Sequence, residues 1–186
     1  MLWLALVALA SARCPQPGEV RLSLLYPLDT AGASAVSAAS FHGDTVVSGA
    51  AGTRGQRVRA QHGLCGWTVT AEVHRDSAAW SPAAGAAYSW ARWGLRAGVE
   101  ALAGAQGDTP LVAARLRLSR PDVRFTPYGM AESRQVLSGP LLGEGWTTAA
   151  ELGLAYTFRD VVAIAAAGDV SGGAVGGHVG LSVKVR

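Results

Sequence analysis

The sequence predicts an all-β protein: an antiparallel up-and-down β-barrel of about eight to ten strands that spans a membrane. Apolar and polar residues alternate with a period of two over many segments, which is the periodicity of a β-strand. Beyond the first residues there is no run of apolar side chains long enough for a membrane-spanning helix. The composition combines 49% hydrophobic residues and 24 glycines with only 16% charged residues, which is unusual for a water-soluble core.

The alternation is clearest in the second half of the chain. In residues 95–101, Leu95 and Val99 share one face, whereas Arg96 and Glu100 share the other. Equivalent segments are 67–74, 114–119, 123–134, 149–158, 161–164 and 178–186, and weaker ones are 20–28, 33–41, 45–51 and 54–62. Stretches rich in small and turn-forming residues predict loops at 77–85, 103–110, 135–145 and 169–173. The candidate strands total an odd number, which bacterial barrels avoid, so we expect eight or ten.

The N-terminal segment has the features of an export signal. Residues 2–12 are apolar and end in Ala10-Ser11-Ala12, a small-x-small sequence that predicts cleavage after Ala12. We therefore expect a signal peptide over residues 1–12 and a barrel domain over residues 13–186. Cys14 follows the expected cleavage site, although Arg13 does not fit lipidation because a small residue normally precedes a lipidated cysteine. Whether Cys14 is lipidated, paired with Cys65 or neither stays open.

Few residues carry a recognisable chemistry. The excess of 16 Lys+Arg over 13 Asp+Glu is scattered along the chain without a basic run, so we expect no nucleic-acid partner. His178 and Ser182 are a Ser/His pair of the kind found in lipid-modifying barrel enzymes, but they are separated by about 13 Å of strand, too far for a hydrogen bond. The other histidines have no metal-ligand spacing, and neither a nucleophile elbow nor a phosphate-binding loop occurs. We expect no catalytic residue, metal or cofactor.

Alternation alone leaves open which face of the barrel is apolar. Three features favour an apolar face that points toward lipid. The strands are long enough to cross a bilayer, the charged residues stand among small ones on the other face, and aromatic residues lie near the strand ends. On this interpretation the lipid-facing and girdle residues are Trp67, Trp93, Phe125, Leu152, Leu154, Tyr156, Phe158, Leu181 and Val183. The charged residues that face the lumen are Glu72, Arg92, Arg96, Glu100, Arg115, Arg117, Arg124, Glu132, Arg134, Glu151 and Lys184. The alternative is an exported soluble barrel, similar to lipocalins, that binds an apolar small ligand inside.

This pattern, strongest from Trp67 to Arg186, resembles the small outer-membrane β-barrel proteins of Gram-negative bacteria: the opacity-protein, OmpA-transmembrane-domain or OmpX/OmpW-like group. The resemblance implies an outer-membrane location, contact with outer-membrane lipid and lipopolysaccharide, insertion by the barrel-assembly machinery and a monomer. It also implies periplasmic termini, so that 135–145 and 169–173 are outer loops, whereas 120–122, 159–160 and an unusually long 77–85 are inner turns. The chain departs from the group by ending in Val185-Arg186 instead of an aromatic residue.

The expected function is non-enzymatic, either a structural and surface-exposed role or that of a narrow pore. In a barrel of eight strands the lumen charges would form a salt-bridged plug, which we favour. In a wider barrel of ten strands they could line a narrow, weakly anion-preferring passage.

Overall fold

The chain forms a closed barrel of antiparallel strands in the computed structural model. The structure describes residues 20–27, 35–42, 44–52, 55–63, 66–75, 79–120, 124–137, 146–159, 161–171 and 173–185. The predicted signal peptide, Cys14 and Cys65 lie outside these ranges. The strands are β1 (Val20–Pro27), β2 (Ala35–His42), β3 (Thr45–Gly52), β4 (Gly55–His62), β5 (Trp67–Arg75), β6 (Trp80–Arg92), β7 (Leu95–Gln106), β8 (Thr109–Ser119), β9 (Phe125–Val136), β10 (Trp146–Phe158), β11 (Val162–Ser171) and β12 (Ala174–Val185).

Each strand pairs with its neighbours in chain order, and the last strand pairs with the first. The closing pair runs from Val20 opposite Val185 to Pro27 opposite His178. Closure leaves no sheet edge, so every described strand is paired on both sides. Among the described residues, no helix has the length and apolarity needed to cross a membrane.

The predicted antiparallel barrel is confirmed, but the count of eight to ten strands is wrong, because the described barrel has twelve. All eleven segments that alternate are strands, and the one that was missed is β6. From residue 81 to residue 87 both faces of β6 carry only proline and small side chains, so this part has no period-two signal and the sequence predicts a loop there. Where β6 meets β7 the backbones also approach closely, since a Cβ on Gly104 would lie 2.7 Å from the Cα of Ala83.

The missed strand also reverses one predicted connection. We call the barrel end that holds Val20 and Val185 the terminal end, and the opposite end the far end. Because the strands alternate in direction, the connection that follows each even-numbered strand lies at the terminal end and the connection that follows each odd-numbered strand lies at the far end. The terminal-end connections are 43–44, 63–66, 93–94, 120–124 and 159–161. The connection before β6 therefore lies at the far end together with 137–145, and it is not the long inner turn that was expected. At 93–94, Trp93 and Gly94 have φ values of 54° and 73°, as a tight two-residue hairpin turn requires.

The outer surface is apolar in its middle and aromatic at its ends. Large aliphatic side chains are exposed on the outer face, with Leu152 exposed by 74% and Val175 by 72%. Aromatic residues form a rim at the terminal end, where the rings of Trp67 and Tyr88 lie 5.0 Å apart. The rim comprises Trp67, Tyr88, Trp90, Trp93, Phe125, Tyr156 and Phe158, and a sparser set at the far end comprises Tyr26, Trp80 and Trp146. An apolar belt between two aromatic rims is typical of a barrel in a bilayer.

An arginine in the middle of this belt should destabilise the barrel strongly. Leu152 lies near the centre of β10, so we expect Leu152→Arg to cost about 2–4 kcal/mol of folding free energy in a bilayer. Val175 is equally exposed but stands next to the far-end turn, and Val175→Arg should cost at most about 1 kcal/mol. Urea titration of both variants in lipid vesicles measures the difference. Equal costs at the two positions would contradict a bilayer centred on β10.

Candidate functional site: the charged interior

The inner face of the barrel carries the charged residues. Buried charged side chains stand on β4, β5, β7, β8, β9, β10 and β11, namely Arg57, Arg59, Glu72, Glu100, Arg115, Glu132, Arg134, Glu151 and Asp169. The large aliphatic residues of the alternative soluble barrel, such as Leu154 and Leu181, are exposed on the outside. That orientation excludes an apolar pocket lined by these leucines, and it makes the charged interior the candidate site.

Arg115 is the centre of the largest cluster of charges. Its Nη1 and Nη2 both donate to the carboxylate of Glu72 at 2.7 Å, and its Nε donates to Glu132 at 3.0 Å. Nη1 also donates to Glu100 at 3.2 Å. One buried guanidinium thus binds carboxylates from three other strands, and the paired N–H groups fix its plane as well as its position.

Three further arginines surround these carboxylates. Arg59 donates to Glu100 through Nη2 and lies 3.7 Å from Glu72 through Nη1. Arg57 lies 4.0 Å from Glu132, and Arg117 lies 3.6 Å from Glu100. We call this set the arginine–glutamate network: Arg57, Arg59, Glu72, Glu100, Arg115, Arg117 and Glu132. It contains four cations and three anions, so it carries an excess of positive charge.

The network extends across the lumen. Arg57 is on β4 and Glu132 is on β9, five strands apart in a ring of twelve, so their contact joins nearly opposite walls. The strand between Glu72 and Glu100 is β6, whose inner face offers only Ala83, Gly85 and Ala87 at this level. Small residues on that strand leave the space that the long arginine side chains fill.

A second, acidic group lies on the neighbouring wall. His178 on β12 places Nε2 3.6 Å from Oε1 of Glu151 and Nδ1 3.6 Å from Oδ1 of Asp169. Glycine makes room for it, because a Cβ on Gly176 would lie 3.2 Å from Oδ1 of Asp169. We call Glu151, Asp169 and His178 the acidic group. Among the residues that the structure describes, no three His, Cys, Asp or Glu side chains are arranged to hold a metal ion.

The structure brings most of the predicted lumen residues together. Six of them are buried inside, namely Glu72, Glu100, Arg115, Glu132, Arg134 and Glu151. Three more are half-buried on the inner face, namely Arg96, Arg117 and Lys184. On the outside, Trp67, Trp93, Phe125, Leu152, Leu154, Phe158 and Leu181 are exposed, and Tyr156 and Val183 are half-buried.

Arg92 does not lie in the lumen, and Arg124 lies at the rim of the barrel, outside the buried interior. Arg92 shares the outer face of β6 with Tyr88 and Trp90, and its guanidinium lies 4.1 Å from the ring centroid of Trp93. Arg124 is exposed and precedes β9 at the terminal end. Both stand at the rim, where a long cationic side chain reaches interfacial water without crossing the wall. The outward position of Arg92 depends on its place in β6, a strand that the sequence does not predict.

Sequence reasoning also missed residues that belong to the site. Arg57 and Arg59 alternate with Val58 and Ala60 in the weak segment 54–62. That alternation indicates that both arginines face the lumen. Asp169 was placed in a loop, whereas it is in β11 and buried. No local signal identifies Tyr128, which packs over Gly153, where a Cβ would lie 2.5 Å from its ring.

Removal of the central guanidinium should destabilise the barrel more than removal of a surface one. Arg115→Met leaves three buried carboxylates without their shared donor, and we expect a loss of about 3–5 kcal/mol. Arg120 is exposed just beyond the same strand, so Arg120→Met should change the free energy of unfolding by less than about 0.5 kcal/mol. Urea titration in vesicles, monitored by tryptophan fluorescence, compares the two. A stable Arg115→Met barrel would show that the network does not support the fold.

Comparison with known proteins bears on the fold alone. No protein-family model and no curated protein sequence matches this chain. Among solved structures, the NanC porin superposes with a TM-score of 0.64 at 12% identity, over 90% of this chain and 99% of that one. The KdgM porin, solved in complex with disordered oligogalacturonate, superposes with a TM-score of 0.62 at 6% identity over the same shares. A second structure of the KdgM porin gives 0.59 at 7%. At such identities the shared feature is the fold, a barrel of antiparallel strands, which matches over 90% of this chain.

Proposed function

We propose that this chain is an outer-membrane channel protein with a narrow lumen that prefers anions over cations. The proposal rests on the polarity of the barrel, which is polar inside and apolar outside, the reverse of a soluble barrel. Twelve strands close around buried arginines and glutamates, while leucine, valine and aromatic side chains face outward. Water-filled barrels in a bilayer require that arrangement, and soluble barrels require the opposite one.

The interior is only partly closed by the arginine–glutamate network. On β7 and β8, Arg96 and Gly98 are half-buried and the Arg117 side chain is 27% exposed. Further along the ring, on β10 and β12, Gly153 and Gly176 are half-buried, and the His178 side chain is 12% exposed. We call the space between these residues the lane. A ring of twelve strands is wider than one of eight, for which the sequence predicts a complete plug, so a network that joins β4 to β9 leaves room for the lane beside it.

The charges beside the lane favour anions. Arg96, Arg117 and Lys184 face the lane, whereas Glu151 and Asp169 are the acidic side chains beside it. Without Arg117 the network has three arginines and three glutamates, so three basic side chains outweigh two acidic ones at the lane. Rings and rows of basic side chains set anion preference in narrow pores. Small anions should therefore pass more readily than cations of the same size.

The remaining inferences extend the expectations from the sequence. We infer that the apolar belt contacts outer-membrane lipid and lipopolysaccharide, that the chain is exported by a signal peptide at residues 1–12, and that the barrel-assembly machinery inserts it as a monomer. We also infer a non-enzymatic role. Membership of the opacity-protein, OmpA-transmembrane-domain or OmpX/OmpW-like group stays a prediction from sequence pattern.

Planar-bilayer recording of the purified barrel tests this function. We expect discrete conductance steps and, in a salt gradient, a reversal potential on the anion side. Arg117→Glu should move the reversal potential toward cation preference, because it reverses a charge beside the lane. Asp108 lies in an exposed far-end turn, so Asp108→Asn should leave the reversal potential unchanged. A folded, heat-modifiable barrel that gives no conductance would instead show that the network closes the lumen completely.

A further inference from the structure

We propose that His178 makes the ion selectivity of the lane depend on pH, because its imidazole adds a positive charge beside the passage when it gains a proton. This inference rests on the proposed function, since it concerns the regulation of the same channel. It depends on the position of one imidazole between two buried carboxylates, those of Glu151 and Asp169.

The imidazole faces a carboxylate on each side. Its Nε2 lies 3.6 Å from Oε1 of Glu151, and its Nδ1 lies 3.6 Å from Oδ1 of Asp169. A neutral imidazole has one N–H and one lone pair, so it turns a donor toward one of these oxygens and a lone pair toward the other. An imidazolium has two N–H groups, one for each carboxylate. The arrangement therefore suits the protonated ring.

The ring has room to respond to a proton. Nε2 of His178 and Oε1 of Glu151 are buried, and neither atom has a hydrogen-bond partner among the described residues. Their separation of 3.6 Å is longer than a hydrogen bond, and a small rotation of the imidazole would close it. The inner-face residues on either side of His178 in β12 are Gly176 and Gly180, so no side chain of that strand blocks the rotation.

The neighbouring strands bring only these two carboxylates to the ring, within the described residues. β11 contributes Asp169, and β10, the next strand along, contributes Glu151. On β1, Pro27 is opposite His178 and Leu25 is two positions away, and neither residue titrates. Carboxyl groups ordinarily titrate near pH 4, well below the range of histidine.

Two further titratable residues lie near the acidic group. Tyr128 of β9 lies beside Glu151, and Lys184 is the next charged residue of β12 on the inner face. A phenol and an alkylammonium ordinarily keep their protons up to about pH 10. The charge beside the lane therefore changes at His178 when the pH crosses the histidine range.

One proton changes the charge balance at the lane appreciably. With a neutral imidazole, the basic residues Arg96, Arg117 and Lys184 outweigh the two carboxylates by one charge, and with an imidazolium they outweigh them by two. The His178 side chain is 12% exposed, so water in the lumen reaches it. One unit charge about 8 Å from a passing ion changes the anion-to-cation ratio about twofold in salt solution. Anion preference should therefore be stronger in acid.

The test measures the reversal potential of the full barrel in a bilayer under a potassium chloride gradient. Recordings are made at about pH 5.5 and about pH 9, on either side of the range in which histidine titrates. We expect the anion-to-cation permeability ratio of the unmodified channel to be about twofold higher at the acid pH.

Three variants assign the change to one ring. His178→Gln, which is always neutral, should keep the alkaline ratio at both pH values, and His178→Lys, which is always positive, should keep the acid ratio. The matched control is His62→Gln, because His62 is exposed on the outer face, where its ring is hydrogen-bonded to Thr45. This control should retain the full shift of the unmodified channel.

A second measurement needs neither a conducting channel nor a functional variant. Nitrogen-15 NMR of the histidine-labelled barrel in lipid nanodiscs distinguishes an imidazolium from a neutral ring. We expect the signal of His178 to be that of an imidazolium at about pH 5.5 and that of a neutral ring at about pH 9. Among the histidines, His74 is also buried on the inner face, but it is opposite Arg57 of β4.

The outcomes separate this inference from the proposed function. Anion-preferring channels whose selectivity is the same at both pH values would overturn the role of His178 and leave the channel standing. A shift that persists in His178→Gln would overturn it as well, and would assign the shift to another group such as His74. A His178 signal that does not change with pH would have the same consequence. A folded barrel without conductance would overturn the proposed function first, and the role of His178 with it.

Discussion

The structure depends on the need to pair every backbone amide and carbonyl where water is absent. An open sheet would leave two rows of these groups in hydrocarbon, so the pairing of β1 with β12 is the condition for everything else. Once the ring is closed, period-two alternation sends one face of every strand to lipid and the other to the lumen. The apolar belt, the aromatic rims and the charged interior are consequences of that closure.

Closure also determines how the interior can be filled. A twelve-stranded ring brings side chains of β4, β5, β7, β8 and β9 within reach of one another, and Arg115 binds three carboxylates at once. The small inner residues of β6 make this possible. The acidic group is made in the same way, with glycine beside Asp169 and beneath Tyr128. The fold thus places the arginine–glutamate network beside the acidic group inside one lumen.

The sequence predicts the strands that alternate and the direction of their faces, as residues 95–101 and 149–158 show. It does not predict the first half of β6, because from residue 81 to residue 87 proline and small side chains on both faces leave no difference between lipid and lumen to detect. For the same reason the strand count and the side of Arg92 were wrong. The contact of Arg57 with Glu132 depends on ring closure and on the register of every strand between them, so no local pattern encodes it.

The most direct measurement of the inverted barrel is the environment of single cysteines along β10, with Cys14 and Cys65 replaced by serine. A fluorescent probe is attached to Leu152→Cys and Leu154→Cys on the outer face, and to Ala149→Cys and Ala155→Cys on the inner face. In vesicles, brominated lipid should quench the first pair strongly and the second pair weakly. Quenching of the inner pair by lipid, or equal quenching of all four, would contradict a closed barrel with its apolar face in the bilayer.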